Sequence, residues 1–569
     1  MVTPTPNIAQ TYPPQVSPWP ASPQTQPVFT SPILSPSQQH AQDTVTLSKF
    51  ESPVIPSMGL LGKTLFSITH PITAFNLLRY SAKYPVQGES SAQRWAMTAG
   101  LMSILDFKGR SNLQSQIRTG RLFNTDAEDR RSTLSHLFQI AALPRAQGLE
   151  KKTVLNDTLR LLAHPETITQ RFAPLKMEAQ QALMQYLNTG KGPQLAAPVT
   201  PESFSDHSAT CVSSSVMYTL FSKQPSEAVR HIAELTSPKL SFTEQAKAHE
   251  ISPDNPSLAE QKLQQYKING RRVSPDTFVV DVSLPYTGLV RAINQQNSKV
   301  PNTQSVVESA YQSALTKLAA FNYEPGLGTL VMPDGKLDQD PGIVADQKTL
   351  MESIMKDTGP VMQVDYQVTA ADRNNEPYLM GYLRPFEKIY GDLVRAVNLG
   401  HNVIIGIVDT DKTGPTRGRL NLKHEVTVVG HKDGVFQIAD SDDDVPRLIK
   451  KSAKELIPQI HHAGLPEAIG RRVQQEATQL SGRYMTPDGN DAKSFQLIDM
   501  VPADIQPSFM ADFQQRQAQE MQAQQAQQMP QVSQQAQASP MSAVGYTTAY
   551  QMYPQYAPAY YYPGYPYAA

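Results

Sequence analysis

One cysteine, Cys211, stands in a chain of 569 residues, inside the hydroxyl-rich stretch "DHSATCVSSSVMYTLF". A thiol does chemistry when it is ionised and faced by a base that is itself oriented by a third group. The chain has 12 histidines, and His424 differs from the others in its setting. It opens the alternating run "HEVTVVG", which "HKDG" joins to "VFQIAD". Alternation predicts a strand, and "HKDG" predicts a hairpin turn. A loop over His431–Asp433 would pair Gly430 with Gly434 and set His424 directly opposite Asp440, on one face of the sheet. A longer turn would set Ser441 there instead. A carboxylate in that place holds the imidazole tautomer whose second nitrogen can face a thiol. Cys211, His424 and Asp440 are thus the candidate catalytic residues, as nucleophile, base and orienting group.

The elements that must position them follow from the pattern. Val212, Val216 and Leu220 recur as an apolar stripe, with Ser208 or Thr210 as N-cap, so Cys211 falls in the first turn of a helix. The unpaired N–H groups and positive dipole end of that turn stabilise a thiolate and can bind a developing oxyanion. The plain alternative for a lone cysteine is a small core residue. Upstream, residues 57–190 read as a helical domain: a capping box at Thr125 and Glu128 precedes Leu134, Leu137, Phe138 and Ala141. Leu155, Leu159 and Leu162 follow before Pro165, and Gly190 closes a further helix. Downstream come a strand in "DTFVVDVSL" and capping boxes at Ser305/Glu308 and Thr349/Glu352. A helix over Phe386–Leu399 stops at Gly400, and "NVIIGIVD" leads into the His strand and its hairpin. Helices followed by an antiparallel sheet make an α+β class.

All charged side chains lie between Asp43 and Glu520. The Pro/Ser/Gln-rich residues 1–56 and the Gln-rich, then Tyr/Pro-rich residues 506–569 bury too little aliphatic surface to offset chain entropy and are expected to be disordered. The tyrosine-rich end suits either an interaction tail for protein partners or an inert one. A net charge of −1 gives no reason to expect capture of nucleic acid or of an anionic membrane. A single cysteine excludes an intramolecular disulfide and a multi-cysteine zinc site. "MGLLGKTLFSITHPITAFNLL" is broken by Lys63, His70 and Pro71, so no membrane span is expected, nor is a signal peptide evident. A soluble protein, cytoplasmic by default, is the expectation.

"TCVSSSVMY" resembles the start of the nucleophile helix of papain-like cysteine peptidases. "GHNVIIGIVD" with "KHEVTVVGHKDGVFQIADSDDD" is similar to their His strand and the strand after it, particularly in bacterial branches with a Cys-His-Asp triad. The resemblance covers roughly residues 200–450, within a domain taken as 191–505 with insertions. It implies a papain-like fold and hydrolysis of peptide or isopeptide bonds in a protein or peptide substrate, without cofactor or metal. It places the nucleophile on Cys211, the general base and acid on His424, and the orienting role on Asp440. The sequence departs from the family at Ser205, where an oxyanion-hole glutamine is usual six residues before the cysteine. Gln194 is too remote for that role, which leaves His207 or backbone N–H groups. Transglutaminase-like acyl transfer on the same residues, or a degenerate scaffold that only binds, are the alternatives.

Other groups read as structural. "DTDKTG" (409–414) begins like a calcium loop but lacks the glutamate that closes one. His461 and His462 have no third ligand, Asp442–Asp444 form an acidic turn, and Arg417 and Arg419 suit either solvent or substrate.

Overall fold

Six helices, α1 (Leu60–Thr69), α2 (Pro71–Lys83), α3 (Ser91–Ile104), α4 (Phe107–Thr119), α5 (Thr133–Ala142) and α6 (Lys151–Ala163), build the N-terminal layer. The computed structural model describes residues 57–146, 149–170, 210–284, 305–324, 329–331, 337–338, 343, 345–355, 359–371, 377–410, 420–441 and 447–478. Both tails, the Gly190 helix end, Gln194, Ser205, His207, Ser208, Arg417, Arg419 and Asp442–Asp444 lie outside these residues. So do residues 411–414 of the calcium-like loop and the expected boundary at 190/191.

Side-chain caps start α3, α4, α5 and a later helix at Ser305. The α3 start is a capping box, with Ser90 and Gln93 each satisfying the other's backbone N–H. At α5 the expectation fails in an instructive way. The helix begins at Thr133, capped by Ser132, and no box forms at Thr125 and Glu128. The acidic residues of that loop serve distant partners. Asp126 Oδ1 accepts from the N–H groups of Ser226 (2.8 Å) and Glu227 (3.1 Å), capping another helix, and Glu128 lies 3.5 Å from Arg230. Leu134, Leu137 and Ala141 are nevertheless buried, while Phe138 packs against the core only half-buried.

Two helices follow: α7 (Cys211–Lys223) and α8 (Pro225–Leu235). They share one apolar core with the N-terminal layer, in which Leu113, Leu137 and Leu155 join Val216, Leu220 and Ile232. A small antiparallel sheet, β1 (Ser241–Lys247), β2 (Gly270–Ser274) and β3 (Thr277–Ser283), has β3 in its centre. Then come α9 (Val306–Ala319), which has the expected Ser305/Glu308 capping box, and α10 (Ala345–Met355). Thr349 and Glu352 are inside α10 and do not start it.

The larger sheet is antiparallel throughout. Its strands are β4 (Val361–Asp365), β5 (Val403–Thr410), β6 (Leu420–Lys432), β7 (Val435–Asp440), β8 (Arg447–Ser452) and β9 (Ile460–Pro466), in the order β8-β7-β6-β5-β9-β4. Along β5, Ile404 joins the first core while Val403 and Ile405 join a second, as the two-residue period of a strand dictates. The second core is closed by α11 (Phe386–Asn398) and α12 (Glu467–Thr478). Gly400, with φ +89°, ends α11's segment in the left-handed conformation that favours glycine. The molecule is thus mixed helix and antiparallel sheet, an α+β organisation. No helix among the described residues is long and apolar enough to cross a membrane.

Candidate active site

Cys211 is the first residue of α7, half-buried, after the N-cap Thr210, whose side chain makes no cap hydrogen bond. Its helix is held from several sides. Ser213 and Thr316 of α9 share a 2.7 Å hydroxyl hydrogen bond. Asn402 Nδ2 donates to Ser222 Oγ at 3.0 Å, and the Arg121 guanidinium donates to the Phe221 carbonyl. The helix is therefore tied to α9 near the thiol and, at its far end, to the N-terminal layer and the segment that leads into β5.

His424 is buried within β6, which begins four residues earlier, at Leu420. His424 Nε2 donates to Asp440 Oδ1 at 2.7 Å. The pairing arises from a register other than the direct opposition expected. The turn is the two-residue Asp433–Gly434, with Lys432 paired to Val435, and both turn residues have positive φ (51° and 75°). That is the type I′ geometry that Asp-Gly prefers, because its twist matches the strands. A bulge between Val428 and Gly430 then shifts the ladder, so Thr427 faces Ala439. Asp440 therefore falls diagonal to His424, a separation that a long side chain such as imidazole spans.

With Nε2 engaged by Asp440, Nδ1 is the nitrogen left to face Cys211, whose sulfur is near enough to raise the His424 pKa. Burial pulls the imidazole pKa down. The hydrogen bonds to Asp440 and Cys211, and the charges of both groups, outweigh it and raise the pKa to about 10. At neutral pH the ring is accordingly an imidazolium between a carboxylate and a sulfur. The three residues singled out from sequence are brought together, and the fold puts a helix N-terminus beside them.

A pocket of about 230 Å³ of empty space, mouth included, lies beside Asp440. Ser214, Ser215 and Tyr218 of α7 and Thr427 and Ala439 of the hairpin line it, with Pro165 and Ile168 from the N-terminal layer. Gln170 N–H donates to the Ser441 carbonyl at 3.0 Å, so that layer touches the chain one residue past Asp440.

Two charged clusters escaped the sequence reading. Glu425, next to His424, accepts from Lys348 Nζ at 3.0 Å and from His462 Nε2 at 2.7 Å. Burial works to raise its carboxyl pKa, yet Lys348 and His462 together bring it down to about 2. His461 and His462 lie on strand β9, and His462 is thereby tied to the His strand. The pairing of Lys348 with Glu425 joins residues 77 apart, which no local pattern signals.

The second cluster is Glu227, His231 and Glu244, whose ligand-type atoms lie within 4.8 Å of one another. Their geometry would suit a cation, and the chain supplies one. Arg230 donates to Glu227 (two contacts of 2.7 Å) and to Glu244 Oε2 (2.9 Å), and its Nη2 is 3.0 Å from His231 Nε2. The guanidinium fills the place a metal ion would take, so the cluster fits an internal salt bridge and not a metal centre.

No protein-family model, curated protein or solved structure matches the chain.

Proposed function

We propose that the chain is a papain-like thiol hydrolase that cleaves peptide or isopeptide bonds. The observation that carries this reading is the placement of His424: its Nε2 donates to a carboxylate at 2.7 Å and its other partner is the thiol of Cys211. Packing of the Cys211 helix on the His strand, with the Asp440 strand next in the sheet, supports a papain-like arrangement.

In the reaction so proposed, the Cys211 thiolate attacks the substrate carbonyl carbon. The carbonyl electrons move onto oxygen, toward the free N–H groups of the first turn of α7. The tetrahedral intermediate collapses, the C–N bond breaks, and His424 gives its proton to the leaving amine. His424, now neutral, takes a proton from water as the water attacks the thioester, and the thiolate leaves with the acid product formed. Asp440 keeps the Nε2 proton in place, so that Nδ1 is the nitrogen that exchanges protons at each step.

The test uses the uniqueness of Cys211. Treatment at neutral pH with iodoacetamide or a peptidyl epoxide, followed by intact-mass measurement, reads one residue with no background. Wild type is expected to take one adduct, and His424→Ala to take it at least about tenfold more slowly, in keeping with loss of a partnered base. Equal rates in the two proteins would overturn the dyad. Incubation with a peptide mixture and a primary-amine acceptor then separates hydrolysis, which gives free acids, from acyl transfer, which gives new amides.

A further inference from the structure

The helical hairpin α1–α2 presents an apolar face that no described residue covers. Leu61, Leu65 and Ile68 recur at helical spacing on α1, and Ile72, Phe75 and Leu78 do so on α2; all six are between 63% and 86% exposed. The opposite face anchors the hairpin, with Phe66, Ala74 and Leu77 buried in the core and Phe66 edge-on to Trp95. These exposed side chains are therefore not needed for folding. Single exposed leucines are ordinary, whereas a contiguous row of large apolar residues marks an interaction surface.

Charge indicates what that surface meets. From Ser57 to Lys83 the chain has no Asp or Glu, and it has Lys63, Arg79 and Lys83. Arg79 and Lys83 are exposed. They stand seven and eleven positions after Ile72, so helical periodicity puts them on the flank of the same face. The net charge of −1 belongs to the whole chain. Attraction to a surface is set by charges within about a Debye length, roughly 10 Å in ordinary buffer. A second copy docked face to face would bring two cationic rims together.

We infer that the α1–α2 hairpin docks in the plane of an anionic lipid surface, its apolar row entering the headgroup boundary and Arg79 and Lys83 meeting lipid phosphates and carboxylates. Neither helix spans the bilayer: they have 10 and 13 residues and are interrupted at His70–Pro71. The inference does not depend on the chemistry at Cys211.

The experiment is flotation of the full-length protein with vesicles of phosphatidylcholine alone or with about 30% phosphatidylserine. Wild type is expected to float with the anionic vesicles at least about tenfold more than with neutral ones, and less so in high salt. Phe75→Asp should abolish flotation, and Arg79→Glu with Lys83→Glu should remove the preference for anionic lipid. All variants should keep the wild-type thermal transition and the wild-type rate of Cys211 alkylation. Absence of flotation, equal flotation with both vesicle types, or a wild-type dimer that Phe75→Asp dissociates would overturn the inference.

Discussion

Replacing Asp440 by Asn tests the electrostatics of the candidate site through one observable, the titration of His424. The imidazole stands at about 10 against an ordinary 6.5, because the interactions with Asp440 and Cys211 more than offset burial. The gap of about 3.5 pH units corresponds to at most about 5 kcal/mol, at 1.36 kcal/mol per unit. A hydrogen bond to a charged partner contributes about 1.5–3 kcal/mol. Asn keeps the shape of Asp but not its charge, so His424 should fall by about 1–2 pH units. The assay is an NMR titration of the ¹³C-histidine-labelled protein, with the signal assigned by its loss in His424→Gln. Stability carries the same signature. A group whose pKa rises on folding contributes fully below its unfolded value and loses that contribution as pH rises through the folded value. Wild type should therefore lose urea resistance between about pH 6.5 and 10, and Asp440→Asn should lose it earlier in that window. A midpoint that moves by less than about 0.3 in the variant, or a wild-type midpoint near 6.5, would refute the reasoning.

Three further perturbations probe the framework. Arg230→Met leaves Glu227 and Glu244 buried without their cation, and should cost about 3–5 kcal/mol in urea unfolding at pH 7; a cost below about 1 kcal/mol would show that the cluster tolerates an empty centre. Lys348→Met removes the ammonium that does most to depress Glu425. A lowered carboxyl pKa contributes fully above the ordinary carboxylate value and loses that contribution as pH falls through the folded one, so the loss, about 3 kcal/mol at pH 7, should be clearly smaller at about pH 2.5, where Glu425 begins to protonate. Equal losses at both pH values would contradict this. Gly434→Val meets no atom within 4 Å but must adopt φ +75°. Its cost, about 1–2 kcal/mol by thermal unfolding, should come from backbone strain alone, and a neutral outcome would mean the turn has changed type.

Much of the site was legible because its signals are local. The stripe Val212, Val216 and Leu220 and the run of hydroxyl residues put Cys211 in the first turn of a helix, where α7 has it. Alternation in "HEVTVVG" and the turn signal "HKDG" announced the hairpin that carries His424 and Asp440. Even so, the contact between His424 and Asp440 arises from another register than expected: a tight turn and a bulge replace the longer loop, and the contact is diagonal. Turn type and bulges depend on sheet twist, which neighbouring strands impose. The capping box expected at Thr125 and Glu128 failed for a related reason. The same short acidic residues that cap locally can serve a remote helix end or Arg230, and only the fold decides which.

Sequence by itself determined the chemistry available: one thiol, a helix to polarise it, a histidine on a strand, and a carboxylate across a hairpin. Those properties reside in residue type and in spacings of a few positions. Tertiary structure alone decided that Cys211 and His424, 213 residues apart, come near enough to interact. It likewise decided that Glu425 finds Lys348, that Arg230 fills the carboxylate cluster, and that no described residue covers the apolar side of α1–α2. Each of these depends on which surfaces pack together, a long-range choice set by the total burial of the core and not by any single segment.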